Sequence, residues 1–377
     1  VKRHAALSRR AWLGAGVAAA GAAWLAPRAA AQPDWRRVAV PAVSPAAWLH
    51  SLEGGWVVPL AATFAESAAE LAVALDGPAG LEADRCLAPP ARDSARAAWR
   101  KAMLDWERLV AVPLPPLIER RALRTLDFQP ARPAAIERAI ATGAGADLAL
   151  VGAPAKGLPA LEWLLWRAPV ALAAGAASCG YARRLAAELA AEATALAGAA
   201  ASLAAAPTRD EAAVARDFAL VINQLVAGAE ALRWAQIGRP RREGRGPWPR
   251  GEASGQSAPT WPREASASTA AAWQGRAEAL RTLLAWSAPA APAAAGAPRA
   301  PVSLEAFLRG QGRNALADRV RAAASALPPA VARAQPGGPA AALVAAERAA
   351  AGVKAVIELE VAPALAVAIG FSDADGD

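Results

Sequence analysis

Gly157-Leu-Pro-Ala-Leu-Glu-Trp-Leu-Leu-Trp166 decides how this chain reads. It opens on a loop glycine, followed by a proline suited to the first helical turn, where a missing N–H costs nothing. From Leu158 onward nearly every side chain is large and apolar, so the segment reads as a helix buried nearly all round. One carboxylate interrupts it. Glu162 lies four residues after Leu158 and three before Leu165, on a face shared with both leucines. An ionised carboxylate there is unfavourable unless a partner neutralises it or it takes up a proton. Two readings stay open: a structural acid paired with an arginine, or a ligand or catalytic acid facing an internal cleft.

The rest of the chain carries the same helical signal. The 377 residues are 55% hydrophobic, enough for one large core or two ordinary ones. Alanine dominates, and runs of β-branched or aromatic residues are scarce; Tyr181 is the single tyrosine. Trp99, Met103, Trp106 and Val110 are spaced 4, 3, 4, one apolar stripe on a helix. Leu185, Leu189, Leu196 and Leu203 make a second stripe, and Phe218, Val221, Leu225 and Leu232 a third. Trp273, Ala277, Leu280 and Leu284 repeat the first spacing in the second half. A last helical stretch runs from Leu343 to Ala366, with Pro363 marking a kink or stop. Breaks fall at Thr142 to Pro159, Gly238 to Pro262, Pro289 to Pro301 and Pro328 to Pro339. The expected fold is all-α, and the two Trp-led halves suggest a duplicated bundle.

The N-terminus reads as an address. Ser8-Arg9-Arg10-Ala11-Trp12-Leu13 has the twin-arginine form, and Ala29-Ala30-Ala31 is a small-residue cleavage site before Gln32. The apolar run Ala11 to Leu25 is 15 residues, short of the ~20 that span a bilayer as a helix. No later stretch is expected to span one. Residues 1–31 carry five of the 41 basic residues and none of the 33 acids, which leaves 36 against 33, a balance of +3. The charge therefore gives no case for nucleic acid. Arg239, Arg241, Arg242, Arg245 and Arg250 form the remaining basic cluster, read as a solvated loop or an anion- or partner-binding one. Cys86 and Cys179 are the two cysteines; an oxidising compartment favours one disulfide, with two buried thiols as the alternative.

The chain resembles the imelysin family of bacterial envelope proteins, whose pattern is G-x-H-x-x-E leading into an apolar helix that often reads Glu-Tyr-Leu-Leu-Trp. Gly157 and Glu162 match it, while the histidine position holds Pro159. The ending Gly370-Phe-Ser-Asp-Ala-Asp-Gly-Asp377 is similar to the family's close. Trp99 to Trp106 with Phe128-Gln-Pro130, and Ser178-Cys-Gly-Tyr181 opening a helix, are further likenesses. The resemblance runs from about residue 44 to the end. It implies two related up-down helical bundles, 34–206 and 207–377, with the signature helix lining the cleft between them. It also implies a periplasmic protein linked to iron or another divalent cation, or a metallopeptidase.

Chemistry is constrained by what the chain lacks. After residue 31 the only histidine is His50, and there is no H-E-x-x-H or nucleophile elbow. Carboxylates remain. Glu162 is the candidate metal ligand, and Gly157, Pro159, Glu162, Trp166, Asp373 and Asp375 are the cleft candidates; Glu107, Asp105 and Glu230 are acids that could converge with them. Asp373, Asp375 and Asp377 alternate like the start of a calcium loop but lack its distal glutamate. The expected function is a non-catalytic binding protein whose partner is a metal ion or another envelope protein. A metallopeptidase and a helical scaffold with a Trp-rich surface are the alternatives, and Pro159 counts against the peptidase. N-terminal sequencing of exported protein should begin near Gln32; an intact Arg9 would overturn the export reading. Thiol titration of the same material, denatured but not reduced, should find no reactive cysteine.

Overall fold

A computed structural model describes residues 40–76, 89–143, 147–168, 175–206, 209–243, 261–285 and 300–370. Among the described residues there are helices and turns and no strand. The chain from Pro41 onward is one compact unit, and the stretch read as an export leader belongs to a separate unit, Val1–Val40. All of that first unit except Val40 lies outside the described residues.

Helices α1 (Pro45–Leu52) and α2 (Val58–Asp76) are joined without a break by the wider turn Glu53–Val57. Then come α3 (Pro89–Leu109), the short α4 (Pro115–Glu119) and α5 (Ala122–Leu126), and α6 (Pro133–Ala141). The signature segment is α7 (Gly157–Trp166), followed by the long α8 (Ala176–Ala204). Helix α9 (Glu211–Glu230) runs through a wide turn, Ala231–Gly238, into α10 (Arg239–Glu243). After α11 (Thr269–Leu284) come α12 (Leu304–Gly310), α13 (Asn314–Ala332) and α14 (Ala340–Val356). Helix α14 widens over Ile357–Val361 and ends in α15 (Ala362–Ala364), so Pro363 stops it as expected.

Starts are set locally. Ser44, Asp210 and Ser303 each accept a hydrogen bond from a backbone N–H three residues on, capping α1, α9 and α12. The apolar stripes then choose the packing. Trp99, Met103 and Trp106 are fully buried on α3, as are Trp273, Ala277 and Leu280 on α11. Each large side chain so buried contributes about 1.5–3 kcal/mol. Helix α2 packs between α3 and α8, while α13 packs against α11 and α14. Contacts of α1 with α9 and of α3 with α11 join the two groups into a shared core.

Two expectations change. Pro328 and Pro329 lie inside α13, which continues to Ala332. They cost the helix only donors in its last turns, where Leu327 and Val331 still bury an apolar edge. Second, the continuous runs Pro45–Asp76 and Glu211–Arg242, each 32 residues long, are apolar enough to cross a membrane by length and composition. The wide turns fuse helices that sequence punctuation separates, and alanine raises the mean hydropathy. Each run buries one face in the core, Trp48, Phe64 and Leu71 in the first and Ile222 and Leu225 in the second.

Helix α7 is pinned at both ends. At its start Trp99 Nε1 donates to the Leu158 carbonyl at 3.0 Å. Tyr181 of α8 donates to the Ala155 carbonyl at 2.6 Å. At its end Arg96 Nε donates to the Leu165 carbonyl at 2.9 Å, meeting an acceptor the last turn leaves open. Gly157 has φ +70°, and a Cβ there would sit 2.2 Å from the Leu126 carbonyl oxygen. Glycine is therefore required twice over, by conformation and by the close approach of α5.

Gly157→Ala should lower stability by about 3 kcal/mol or more in urea denaturation. Gly143→Ala is the control, because Gly143 has nearly the same φ, +68°, with nothing near its would-be Cβ. It should cost only about 1 kcal/mol. Equal losses would show that the Leu126 contact is unimportant.

Candidate functional site

The site is assembled from five pieces of chain around one buried guanidinium. Helix α3 supplies Glu107 and Trp106, the segment after α5 supplies Asp127, and α7 supplies Glu162. Arg263 and Ser266 come from the turn before α11, and Arg276 from α11 itself. Arg263 Nε donates to Glu107 Oε1 at 3.0 Å, and its Nη2 donates to Asp127 Oδ2 at 2.6 Å. Arg276 donates to the other oxygen of Glu107. Trp106 Nε1 adds a 2.8 Å bond to Asp127 Oδ2, and Gln129 Nε2 reaches Asp127 Oδ1 at 3.1 Å.

The turn that carries Arg263 is unusual. Arg263 (φ 63°) and Ala267 (φ 56°) are both left-handed, which costs a side-chain-bearing residue of order 1–3 kcal/mol. Ser266 Oγ and Ser268 N both bond the Arg263 carbonyl, and Thr269 Oγ1 bonds the Pro262 carbonyl at 2.7 Å. Those bonds and the ion pairs together hold the strained turn.

Glu162 is tied to the same turn. Its Oε1 accepts from Ser266 N at 2.9 Å and from Ser266 Oγ at 2.7 Å. No described residue bonds its second oxygen. Burial pushes the Glu162 carboxyl above its ordinary range, and the Arg263 charge and the Ser266 bonds offset only part of that. Burial also raises Asp127, with the Glu107 charge adding to it against Arg263. Burial works against ionising Glu107 too, but Arg276 and Arg263 outweigh it and hold that carboxyl below its usual range. Arg263 stays protonated: burial opposes its charge, and Asp127, Glu107 and Glu162 more than compensate. Three acids thus share two arginines, and the cluster is neutral when one of the acids carries a proton.

Beside the cluster is a pocket of about 230 Å³. Pro159, Glu162 and Trp163 of α7 form one wall, and Trp261, Pro262, Arg263 and Ala265 another. Gln129, Pro130, Gln236, Arg239 and Arg167 also line it. Two polar atoms on these walls are buried without a partner, Arg263 Nη1 and Gln236 Oε1.

The sequence candidates divide accordingly. Pro159 and Glu162 stand on the pocket wall, and Glu107 lies behind it in the cluster. Gly157 abuts Leu126 and sets the start of the helix. Trp166 lies edge-on to Trp99 with ring centroids 5.2 Å apart, and Arg96 and Arg100 stack over it outside the pocket. Asp105 pairs with Arg108, and Glu230 with Arg233 and Lys354. Asp373, Asp375 and Asp377 lie outside the described residues, although Gly370 N is held by Asn223 Oδ1 of α9 at 2.9 Å. Cys86 also lies outside them; Cys179 is buried in the first turn of α8. Within the basic cluster, Arg241 and Arg242 both pair with Glu347, so this part is a docked helix end rather than a solvated loop.

Sequence reasoning did not single out Asp127, Arg263, Ser266 or Arg276. Asp127 sits directly before the quoted Phe128-Gln-Pro130, which was its only signal. Arg263 follows a proline-rich stretch already full of arginines and could not be told from them.

The described residues of this pocket do not make a metal site. Among the described residues no three or more His, Cys, Asp or Glu side chains are grouped to hold a metal ion. Glu162 is the one acid on the described walls, and the charged Arg263 repels a second cation.

No curated protein matches the chain. Among solved structures it is similar to an imelysin-like protein from Psychrobacter arcticum 273-4, at 17% identity and a TM-score of 0.65, over 89% of this chain and 100% of that one. It is also similar to a Parabacteroides distasonis ATCC 8503 protein provisionally identified as an iron-regulated protein A precursor. There the identity is 15% and the TM-score 0.59, over 86% of this chain and 98% of the other. At these identities the likeness is one of fold. The family model for imelysin (Peptidase_M75) matches residues 58–362, four-fifths of the sequence, and the chain belongs to that family.

Proposed function

We propose that this imelysin-family chain is exported to the periplasm and works there as a non-catalytic binding protein, taking a small ligand in the pocket beside α7. The carrying observation is the placement of the signature segment. Pro159 and Glu162 line a pocket whose opposite wall holds a charged residue with an unpartnered donor. Its volume is at the small end for ligand sites, which suits a small molecule rather than a peptide chain.

A peptidase needs an activated water or a nucleophile with its base. His50 is exposed on α1 and absent from the pocket walls, Glu107 and Asp127 are bound to arginines, and Glu162 is bonded by Ser266. The scaffold reading draws little support from the described residues, where Trp234 is the one exposed tryptophan. The word "iron-regulated" in the name of one similar protein concerns control. A link to iron in this chain therefore rests on that likeness and not on a donor set.

Protein purified from its own cells should release a small molecule on denaturation, identifiable by mass spectrometry. Ala235→Trp, at an exposed position on the pocket wall, should abolish the recovery without unfolding the chain. The mature protein should leave peptides intact with or without zinc. Zinc-dependent cleavage that is lost in Glu162→Gln would refute the binding-protein reading.

Glu162→Gln should also report on the proton. Glutamine keeps an oxygen for both Ser266 bonds and removes the charge. A carboxyl raised above its ordinary value of 4.5 carries no penalty below that value and a growing one as pH climbs through its folded value. The stability of Glu162→Gln relative to the parent should therefore increase from acid to neutral pH. A gap that moves the other way in paired denaturation curves would place Glu162 as a stabilising ionised partner.

A further inference from the structure

The charge of the ligand can be read from the pocket walls. Arg263 is 1% exposed, and its Nε and Nη2 are used by Glu107 and Asp127, yet its Nη1 has no partner. A buried guanidinium donor left open is unfavourable, so an acceptor that reaches it is rewarded. Arg167 and Arg239 line the same pocket. Gln236 presents a second buried and unpartnered amide oxygen, and the same amide turned over presents two donors. Opposing these is one acid, Glu162, whose burial favours the proton-bearing form that can itself donate. The remaining surface is apolar: Trp163, Trp261 and the rings of Pro130, Pro159 and Pro262.

We propose that the pocket binds a small organic acid, its carboxylate taken by Arg263 Nη1 with Arg167 and its apolar body lying against Trp163, Trp261 and the prolines. This deepens the binding-protein reading and rests on it. The guanidinium fork matches a carboxylate in shape as well as charge, which sets this ligand apart from a metal cation. The apolar walls distinguish it from a bare inorganic anion, which would leave them wet.

Calorimetric titration of the full mature chain would compare benzoate and phenylacetate with benzamide, inorganic phosphate and zinc. The expected result is binding of a carboxylate at least tenfold tighter than benzamide and phosphate, with no competition from zinc. Arg167→Ala should weaken it about tenfold while the thermal melt stays unchanged. Ala235→Trp should abolish it. Benzamide or zinc binding as tightly as the acids, and still blocked by Ala235→Trp, would overturn the acid while leaving a working pocket. Phosphate equal to the organic acids would overturn the role given to the apolar walls. No binding by either carboxylate overturns the inference. If, in addition, native protein releases no small molecule, the binding-protein reading itself falls.

Discussion

The site depends on one buried cation. The side chain of Arg263 is fully enclosed and is shared by Glu107 from α3 and Asp127 from the segment after α5. Taking such charges out of water costs several kcal/mol per ion, and pairing returns much of it only when the geometry is good. The net gain in stability is therefore small, but the tolerance for error is also small. Removing one partner would leave a buried charge uncompensated, at about 3–5 kcal/mol. The arginine thus fixes where the 261–268 turn must lie against α3, and with it where Ser266 meets Glu162. A left-handed arginine persists because these bonds over-determine it.

Helix α7 is held by a different means. Its side chains are buried nearly all round, which gives it no preferred outward face. Rotation and register are set instead by polar groups at its ends: Trp99 and Arg96 on its carbonyls, Tyr181 on the carbonyl just before it. The glycine at its head lets α5 come within backbone contact. Local conformation, close packing and long-range hydrogen bonds therefore converge on one placement, and that placement puts Pro159 and Glu162 on the pocket wall.

Much of this was legible in the sequence because it depends on periodicity. The Trp99, Phe218 and Trp273 stripes are buried as their spacing requires, and α7 is buried as its composition requires. Glu162 stood out because an acid in an apolar helix has few explanations. What could not be read was its partner. A buried carboxylate announces a need for a donor, but the donor is Ser266, 104 residues away, in a loop whose composition is that of ordinary surface. Arg263 was hidden for the same reason: an arginine in a Pro/Arg-rich stretch looks solvated until the fold closes over it. Periodicity fails likewise at Pro328-Pro329, where helix packing outweighs a local breaker near the end of α13.

Pro159 also gains a physical meaning beyond being the residue at the position where the resemblance expects a histidine. In the first turns of a helix proline needs no donor, so Pro159 is compatible with an intact α7. It places an apolar ring on the pocket wall next to Glu162, where an imidazole could have bound a metal or a proton. A proline there gives Glu162 no basic neighbour with which to share a cation. Glu162 is then bonded by Ser266 on one oxygen, its burial favouring the proton-bearing form, and Arg263 Nη1 is left without a partner. With proline rather than a basic side chain at 159, the charged groups along this wall are Glu162 and Arg263, and on the binding reading proposed above it is the arginine that draws an acceptor.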